Sequence, residues 1–423
     1  MGRKNFDFDI VTLLLYLGLV LFGWMAIYAV TFTNTDGALF DLSTMHGKQI
    51  MWVGISLVVA LVVLSLDNRF IEAISYFAYG AAILMLILVL FIGKEVNGAK
   101  SWLIIAGQPF QPSEFAKMAT ALALARYMSR LNFSLNNTSQ ALVAGLLVIV
   151  PGIIVILQND TGSALVFASF LIVFFREGLN PFIPILILLT GLVAVVTLGT
   201  GKVGWIIAIV LGVGVLSFLY FDNPRYRIKI AVIHIIAFGY LAGLSFSVDK
   251  IVSKLPPHQQ IRIKILFDPG QDPRGAGYNV IQSKIAIGSG GVSGKGYLDG
   301  NYTKYKFVPK QETDFIYCTV GEEFGWLGTS TVLIMFFLLI VRLLFLAENS
   351  KTRFARIYGY SVLSILFFHV FVNVGMTIGL VPVIGIPLPF FSYGGSSLLS
   401  FTVLIFLMVN LYSYRASVLG SKL

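Results

Sequence analysis

The sequence predicts an all-α polytopic integral membrane protein with about 12 transmembrane helices and one long extracytoplasmic loop. Three observations predict it. Only 12% of the 423 residues are charged and 57% are hydrophobic, where a soluble domain carries roughly 25% charged residues, so the polar surface that would solvate a soluble fold is missing. The apolar residues gather into runs long enough to cross about 30 Å of hydrocarbon at about 1.5 Å per residue. Alternate loops collect Lys and Arg, as expected when basic residues resist translocation.

The first run, Ile10 to Phe32, follows Met1-Gly-Arg-Lys4 and lacks a short apolar core with small-residue cleavage chemistry, so it reads as a retained first helix. Further spans are expected at about 49–66, 70–93, 112–129, 139–158, 162–176, 181–199, 203–221, 229–248, 329–347, 356–380 and 394–413. The run 162–176 is short enough to be tilted or partly re-entrant, and Thr200-Gly-Lys202 is a thin loop between two spans. Placing the N-terminus in the cytoplasm puts Arg3, Lys4, Arg69, Arg126, Arg130, Arg176, Arg225, Arg227, Lys229, Lys351, Arg353, Arg356, Arg415 and Lys422 inside. The short outer loops then hold only Lys48, Lys94, Lys100 and Lys202. An even number of spans leaves both termini cytoplasmic and the segment 249–328 outside, a loop too long for its own charges to set the orientation. The chain reads as a single transmembrane domain, 1–423, without a soluble domain or internal repeat.

The net charge of +10 does not point to nucleic acid, because the basic residues lie in short clusters between apolar runs with no basic helix or arm. Cys318 is the sole cysteine, which excludes an intrachain disulfide and a Cys-based zinc site. His46, His234, His258 and His369 are scattered, with no pair at metal-ligand spacing. The Gly288 to Gly296 stretch is not a phosphate-binding loop: Ser289 stands where the first Gly belongs, and Gly296 follows Lys295 where Ser or Thr is required.

Chemistry is expected in the loop 249–328, which is too rich in Gly, aromatic and apolar residues to be disordered and should fold onto the helices. Two Asp-Pro steps force extended or turn geometry at Asp268 and Asp272, so each carboxylate is offered from a turn. The glycines after Asp272 permit close packing, which suits either a tight turn or the approach of a bulky polar substrate. Ionisable residues at membrane depth are costly and therefore candidates for function. Glu114 and Lys117, after Gln111-Pro112-Ser113, lie three apart on one helix face and can pair, and Asp160 caps the turn before Thr161-Gly162. Each is explained equally by a structural role or by a substrate contact. Pro382, Pro387-Leu-Pro389 and Ser392-Tyr-Gly-Gly-Ser-Ser397 break an apolar stretch at membrane depth, which is tolerated where backbone is buried in protein or lines a cavity.

These stretches resemble the SEDS family of bacterial cell-wall polymerases. The resemblance rests on Trp102, Gln111-Pro-Ser-Glu-Phe-Ala-Lys117, Asn159-Asp-Thr-Gly162 and Asp272-Pro-Arg-Gly-Ala-Gly-Tyr278 through Gln282-Ser283. It continues in Ala286-Ile-Gly-Ser-Gly-Gly291, Thr313-Asp-Phe315 with Gly321-Glu-Glu323, and Pro387-Leu-Pro-Phe-Phe-Ser-Tyr-Gly-Gly-Ser-Ser397. The Gly-Ser-Gly-Gly and Gly-Lys-Gly wording is closer to the elongation branch, RodA-like, than to the division branch, FtsW-like. Two departures stand out. The family core has ten spans, so 181–248 would supply two extra helices, and Lys310 stands where the family tends to have Glu.

The resemblance implies a peptidoglycan glycosyltransferase that polymerises lipid II on the outer face of the bacterial cytoplasmic membrane during elongation and shape maintenance. It implies Asp272 as the catalytic base. Glu114, Lys117, Asp160, Gln282, Lys284, Lys295, Thr313, Asp314, Ser396 and Ser397 are the expected substrate-binding residues. Of these, Lys117, Lys284 and Lys295 are candidates for holding pyrophosphate, alone or with a divalent cation such as Mg2+. It also implies a class B penicillin-binding protein as partner, together with membrane lipid and the undecaprenyl-pyrophosphate-linked glycan. The competing reading is a lipid II flippase, since many helices with intramembrane charges and breaks also suit alternating access. A flippase would place its critical charges along a midplane path, whereas a polymerase needs Asp272 in the outer loop.

Overall fold

The computed structural model describes residues 9–32, 40–96, 98–105, 107–200, 257–272 and 275–420, with isolated positions between 236 and 255 and side chains as far as 413. It divides into two units, Met1–Leu179 with Tyr278–Leu423, and Asn180–Gly277. The division falls inside the expected outer loop, whose residues 249–277 belong to one unit and 278–328 to the other.

In the first unit, α1 (Ile10–Thr31) is apolar all round and packs on α2 (Met45–Ser65), which starts where the Thr44 hydroxyl accepts the Gly47 N–H. Leu66 and Asp67 turn the chain directly into α3 (Asn68–Ile92), capped by the Asp67 carboxylate on the Arg69 N–H. Next, α4 (Pro112–Met128) begins with Pro at its first position, and its small residues Ala116, Ala119, Ala121, Ala123 and Ala125 let α3 and the later helix Arg353–Thr377 approach closely. Then come α5 (Thr138–Leu157) and the pair α6 (Thr161–Val166) and α7 (Leu171–Arg176), joined by a 3-10 turn at Phe167–Phe170. After the second unit the chain forms α10 (Ala276–Ser289), α11 (Asn301–Lys304), α12 (Ile316–Glu348), α13 (Arg353–Thr377) and α14 (Gly395–Gly420). The second unit contributes α8 (Phe182–Thr200) and α9 (Pro257–Ile265).

The helix α13 is the central post. It has 83% of its most apolar stretch buried inside the protein, against 22% for α3 and α5, whose outward apolar faces suit lipid. Among the described residues, eight helices are long and apolar enough to cross a membrane: α1, α2, α3, α5, α8, α12, α13 and α14. The expected spans 112–129 and 162–176 are α4 and the interrupted α6–α7. The expected span 203–221 lies outside the described residues, as does all but isolated positions of 229–248.

The structure departs from expectation twice. Where a plain loop is expected between the third and fourth spans, a small antiparallel sheet forms from β1 (Lys94–Val96), β2 (Ala99–Ile105) and β3 (Gln108–Phe110). Its hairpins turn at Gly98 and Gly107, at φ of 83° and 77°, and Trp102-Leu-Ile-Ile105 supplies the strand-forming side chains. The expected span 329–347 is only the far part of α12, which starts at Ile316 inside the expected loop. Glu322 and Glu323 hid its first turns from a hydropathy reading, and Gly325, at φ 64° and ψ −157°, bends it in a conformation open only to glycine.

At one end of this unit the basic residues meet acidic partners. Arg353 and Arg356 both bind Glu177, at 3.0 and 2.9 Å, and Arg176 binds Glu348 at 2.8 Å. Arg126 pairs with Glu72. The motif-bearing segments lie at the opposite helix ends, where α3 finishes and α4, α6 and α14 begin.

Candidate active site

Three buried side chains form the innermost part of the site. Lys117 is fully buried, and its ammonium donates to Glu114 Oε1 and to His369 Nε2, both at 2.8 Å. The pairing at three-residue spacing is what one face of α4 provides. Glu114 is also held through its backbone carbonyl, which accepts the Ser400 hydroxyl at 2.9 Å, while its Oε2 has no partner among the described residues. The Lys117 Nζ lies 5.5 Å from the centre of the Phe401 ring. Lys117 is expected on the pyrophosphate, but here its ammonium is spent on two protein partners with no exposed surface.

Outward of this pair, the segment 312–314 is strapped to the broken stretch after α13. The Tyr393 N–H donates to the Glu312 carbonyl at 2.9 Å, and the Ser392 hydroxyl donates to the Thr313 carbonyl at 2.6 Å. Asn373 donates from one amide group to the carbonyls of Asp314 and Ile386, at 3.0 and 2.8 Å. The Asp314 carboxylate lies so near Gly385, at φ 71°, that a β-carbon there would come within 3.3 Å of Oδ2.

Beside this strap, Asp160 caps α6 by accepting the Ser163 N–H at 3.0 Å, and its Oδ2 takes the Ser163 hydroxyl and the Gln111 side-chain amide, each at 2.9 Å. Ser396 joins the same edge, since its hydroxyl donates to the Pro109 carbonyl at 3.2 Å and accepts the Gln111 N–H at 3.4 Å. Ser397 follows, also buried, at the start of α14. Gly162 touches the Ile384 backbone, where a β-carbon would fall 2.4 Å from the carbonyl oxygen.

The Gly-rich stretch 288–296 wraps the start of α12 backbone to backbone. A β-carbon on Gly290 or Gly294 would lie 2.0 Å from the carbonyls of Gly321 and Glu323, respectively, which accounts for glycine at both. Trp326 and Leu327 donate their N–H groups to the carbonyls of Gly291 and Val292, at 2.9 and 3.0 Å. Below the wrap, Glu322 is fully buried and accepts the N–H groups of Tyr302 and Thr303 and the Thr303 hydroxyl, each at 2.8 Å, so it caps α11 from another helix. Lys295, partly exposed, lies 3.5 Å from Glu322 Oε1. On α10, Lys284 is exposed and rests near Gly379, Gln282 is half-buried, and Ser283 donates to the Thr377 carbonyl at 2.9 Å.

Asp272 belongs to the second unit and is half-buried. Its backbone is extended, at φ −131° and ψ 74°, following a 3-10 turn at Pro269–Gln271 that the Asp268 carboxylate caps on the Gly270 N–H. The Asp272 carboxylate folds back over Gly275, where a β-carbon would sit 2.3 Å from Oδ2, and Gly277 is as close to the Pro269 carbonyl, at 2.2 Å. Glycine at both positions is thus what lets the carboxylate adopt this place.

A family model described as cell cycle protein, for FtsW, RodA and SpoVE, matches residues 9–211 and 203–417. The chain belongs to this family, the SEDS family. The chain is 33% identical over 410 residues to the peptidoglycan glycosyltransferase MrdB of Escherichia coli (strain K12), covering 96% of this chain and 94% of that one. It is equally 33% identical to the peptidoglycan glycosyltransferase RodA of Treponema pallidum (strain Nichols), over 93% and 94% of the two chains. Among solved structures, one describing the coordination of polymerization and crosslinking by a peptidoglycan synthase complex is similar at a TM-score of 0.69 and 27% identity, covering 97% of this chain and 98% of that one. The crystal structure of Thermus thermophilus Rod shape determining protein RodA shares the fold at a TM-score of 0.61, with 23% identity over 98% and 99%.

Within this SEDS chain, sequence reasoning missed three residues that tie the site together: His369, Asn373 and Glu322. His369 and Asn373 sit four apart on α13 beneath the Pro-rich break, on a buried row that also holds Ser361 and Thr377. That spacing was the available signal, but nothing local identifies a partner 252 positions away. Glu322 was visible as part of the Gly321-Glu-Glu323 motif, without a sign of which loop it caps.

Proposed function

We propose that this chain is a peptidoglycan glycosyltransferase of the outer leaflet of the cytoplasmic membrane, polymerising lipid II with both of its own termini in the cytoplasm. The observation that carries this reading is the end-to-end similarity, 33% identical over 96% of the chain, to a protein named for that activity. In the reaction, the sugar hydroxyl of an incoming lipid II attacks the anomeric carbon of the growing strand. The new glycosidic C–O bond forms as the bond to the pyrophosphate oxygen breaks, and the hydroxyl proton passes to a base. Asp272 is the proposed base, offered from a turn and backed by glycine. Lys284 and Lys295, both with exposed surface, are the proposed counter-charges for the departing undecaprenyl pyrophosphate.

Gln282, Asp160, Thr313, Asp314, Ser396 and Ser397 are the proposed polar contacts of the sugar and peptide groups. Glu114 and Lys117, closed in on each other and on His369, are assigned to holding that edge in shape. Among the described residues no three His, Cys, Asp or Glu side chains converge to hold a metal ion. A divalent cation such as Mg2+ is proposed as added positive charge on the substrate's phosphates. A class B penicillin-binding protein is the proposed partner, since a similar solved structure is a complex that couples polymerization to crosslinking.

The pairing of Lys117 with both Glu114 and His369 favours an enzyme over a lipid II flippase, because these buried charges are spent on one another. The two readings separate in vesicles containing the purified protein, its partner and labelled lipid II. A polymerase converts the outward-facing label into long glycan, whereas a flippase moves label between leaflets and leaves it monomeric.

A further inference from the structure

We infer that His369 and Asn373, one turn apart on α13, are positioning residues that clamp the Thr313–Asp314 strap in place for glycan transfer, with His369 held as the neutral Nδ1-protonated tautomer by Lys117. The inference deepens the polymerase reading and rests on it.

The Pro387-Leu-Pro389 break frees backbone carbonyls at membrane depth, where water is scarce and protein donors must satisfy them. Asn373 and His369 supply those donors to two consecutive carbonyls: Asn373 Nδ2 to Ile386 at 2.8 Å, and His369 Nδ1 to Pro387 at 3.1 Å. The second proton of the Asn373 amide goes to the Asp314 carbonyl at 3.0 Å. One side chain thus ties the strap to the break. Lys117 assigns the imidazole tautomer. An ammonium has only hydrogens to offer, so His369 Nε2, 2.8 Å away, must accept, and the single ring proton lies on Nδ1 facing Pro387. Lys117, His369 and Asn373 are each 0% exposed, so water does not compete for these bonds. The imidazole also packs perpendicular to the Phe401 ring, with centroids 4.9 Å apart, which restricts its plane.

The bland alternative is that His369 merely fills space. The side-chain amide of Asn reaches the place of the imidazole Nδ1, and that of Gln the place of Nε2, so two conservative variants separate the two bonds. The test uses the full-length protein with its penicillin-binding partner and labelled lipid II, and compares native protein with His369→Ala, His369→Asn, His369→Gln and Asn373→Leu. Backbone hydrogen exchange over 311–315 is measured on the same samples.

The clamp predicts that His369→Ala and Asn373→Leu lower kcat by about tenfold or more with KM within about twofold, and that exchange over 311–315 speeds up in both. His369→Asn restores kcat and protection, and His369→Gln does not. Unchanged kcat in His369→Ala overturns the clamp, as does equal rescue by Asn and Gln or unchanged exchange over 311–315. A native protein that makes no polymer refutes the polymerase reading separately; hydrogen exchange then decides the clamp alone, with unchanged protection in His369→Ala overturning it.

Discussion

Replacing Lys117 by Met removes an ammonium from a site with 0% exposure and strands the Glu114 carboxylate, itself 1% exposed, whose Oε2 already has no partner among the described residues. Truncating one half of a buried ion pair costs about 3–5 kcal/mol, because the remaining charge keeps its desolvation penalty and loses its attraction. Replacing both halves by neutral groups of similar volume is often close to neutral. The expected pattern is therefore strongly non-additive. Lys117→Met loses about 3–5 kcal/mol, and the double variant Glu114→Gln/Lys117→Met regains at least half of that. Pulse proteolysis over an SDS titration in mixed micelles measures the folded fraction of each variant and of Glu114→Gln without reference to activity. A Lys117→Met protein within about 1 kcal/mol of native, or a double variant equal to the sum of the singles, would refute the reasoning that this pair is a closed structural unit.

Three further substitutions probe the outer segments. Gly294→Ala places a β-carbon 2.0 Å from the Glu323 carbonyl at a φ of 80°; it should destabilise by at least about 1–2 kcal/mol from the backbone conformation alone, read as a lowered thermal midpoint. Glu322→Gln leaves a carboxamide with one acceptor oxygen where a carboxylate accepts three hydrogen bonds from Tyr302 and Thr303, and one from Lys295, on two oxygens; a loss of about 1.5–3 kcal/mol is expected, with faster hydrogen exchange confined to 301–304. Gly275→Ala forces the Asp272 carboxylate, otherwise 2.3 Å from the new β-carbon, out of its place; kcat for polymerisation should fall about 10²-fold with the thermal midpoint unchanged.

Much of the fold was legible because a bilayer imposes one simple rule, that each span be long and apolar. The ends of α3, α5 and α13 follow from their apolar runs, and the cap at Asp160 follows from residue type beside a helix start. The rule fails where function interrupts it. The first turns of α12 carry Glu322 and Glu323, which a hydropathy reading counts against a helix although both are buried. The sheet at 94–110 is too short to show a periodicity, so a hydropathy reading passes over it.

The site divides the same way. The Glu114–Lys117 pair is local, three residues apart on one helix face, and so is the turn that presents Asp272. The strap from 312–314 to the Pro-rich break and the reach of His369 to Lys117 depend on helices packed across the bundle, which no single window of sequence reports. Burial also changed a reading. The resemblance implies Lys117 as a candidate for holding pyrophosphate, whereas the structure shows its side chain buried against Glu114 and His369.

The central claim is that Asp272 accepts the proton of the attacking sugar hydroxyl. Its most direct test is polymerisation of labelled lipid II by the purified protein with its penicillin-binding partner, comparing native protein with Asp272→Asn, which keeps the shape of the side chain and removes the base. Polymer from the native protein and none from a variant that still folds and binds its partner is the predicted result; equal polymer from both would contradict it.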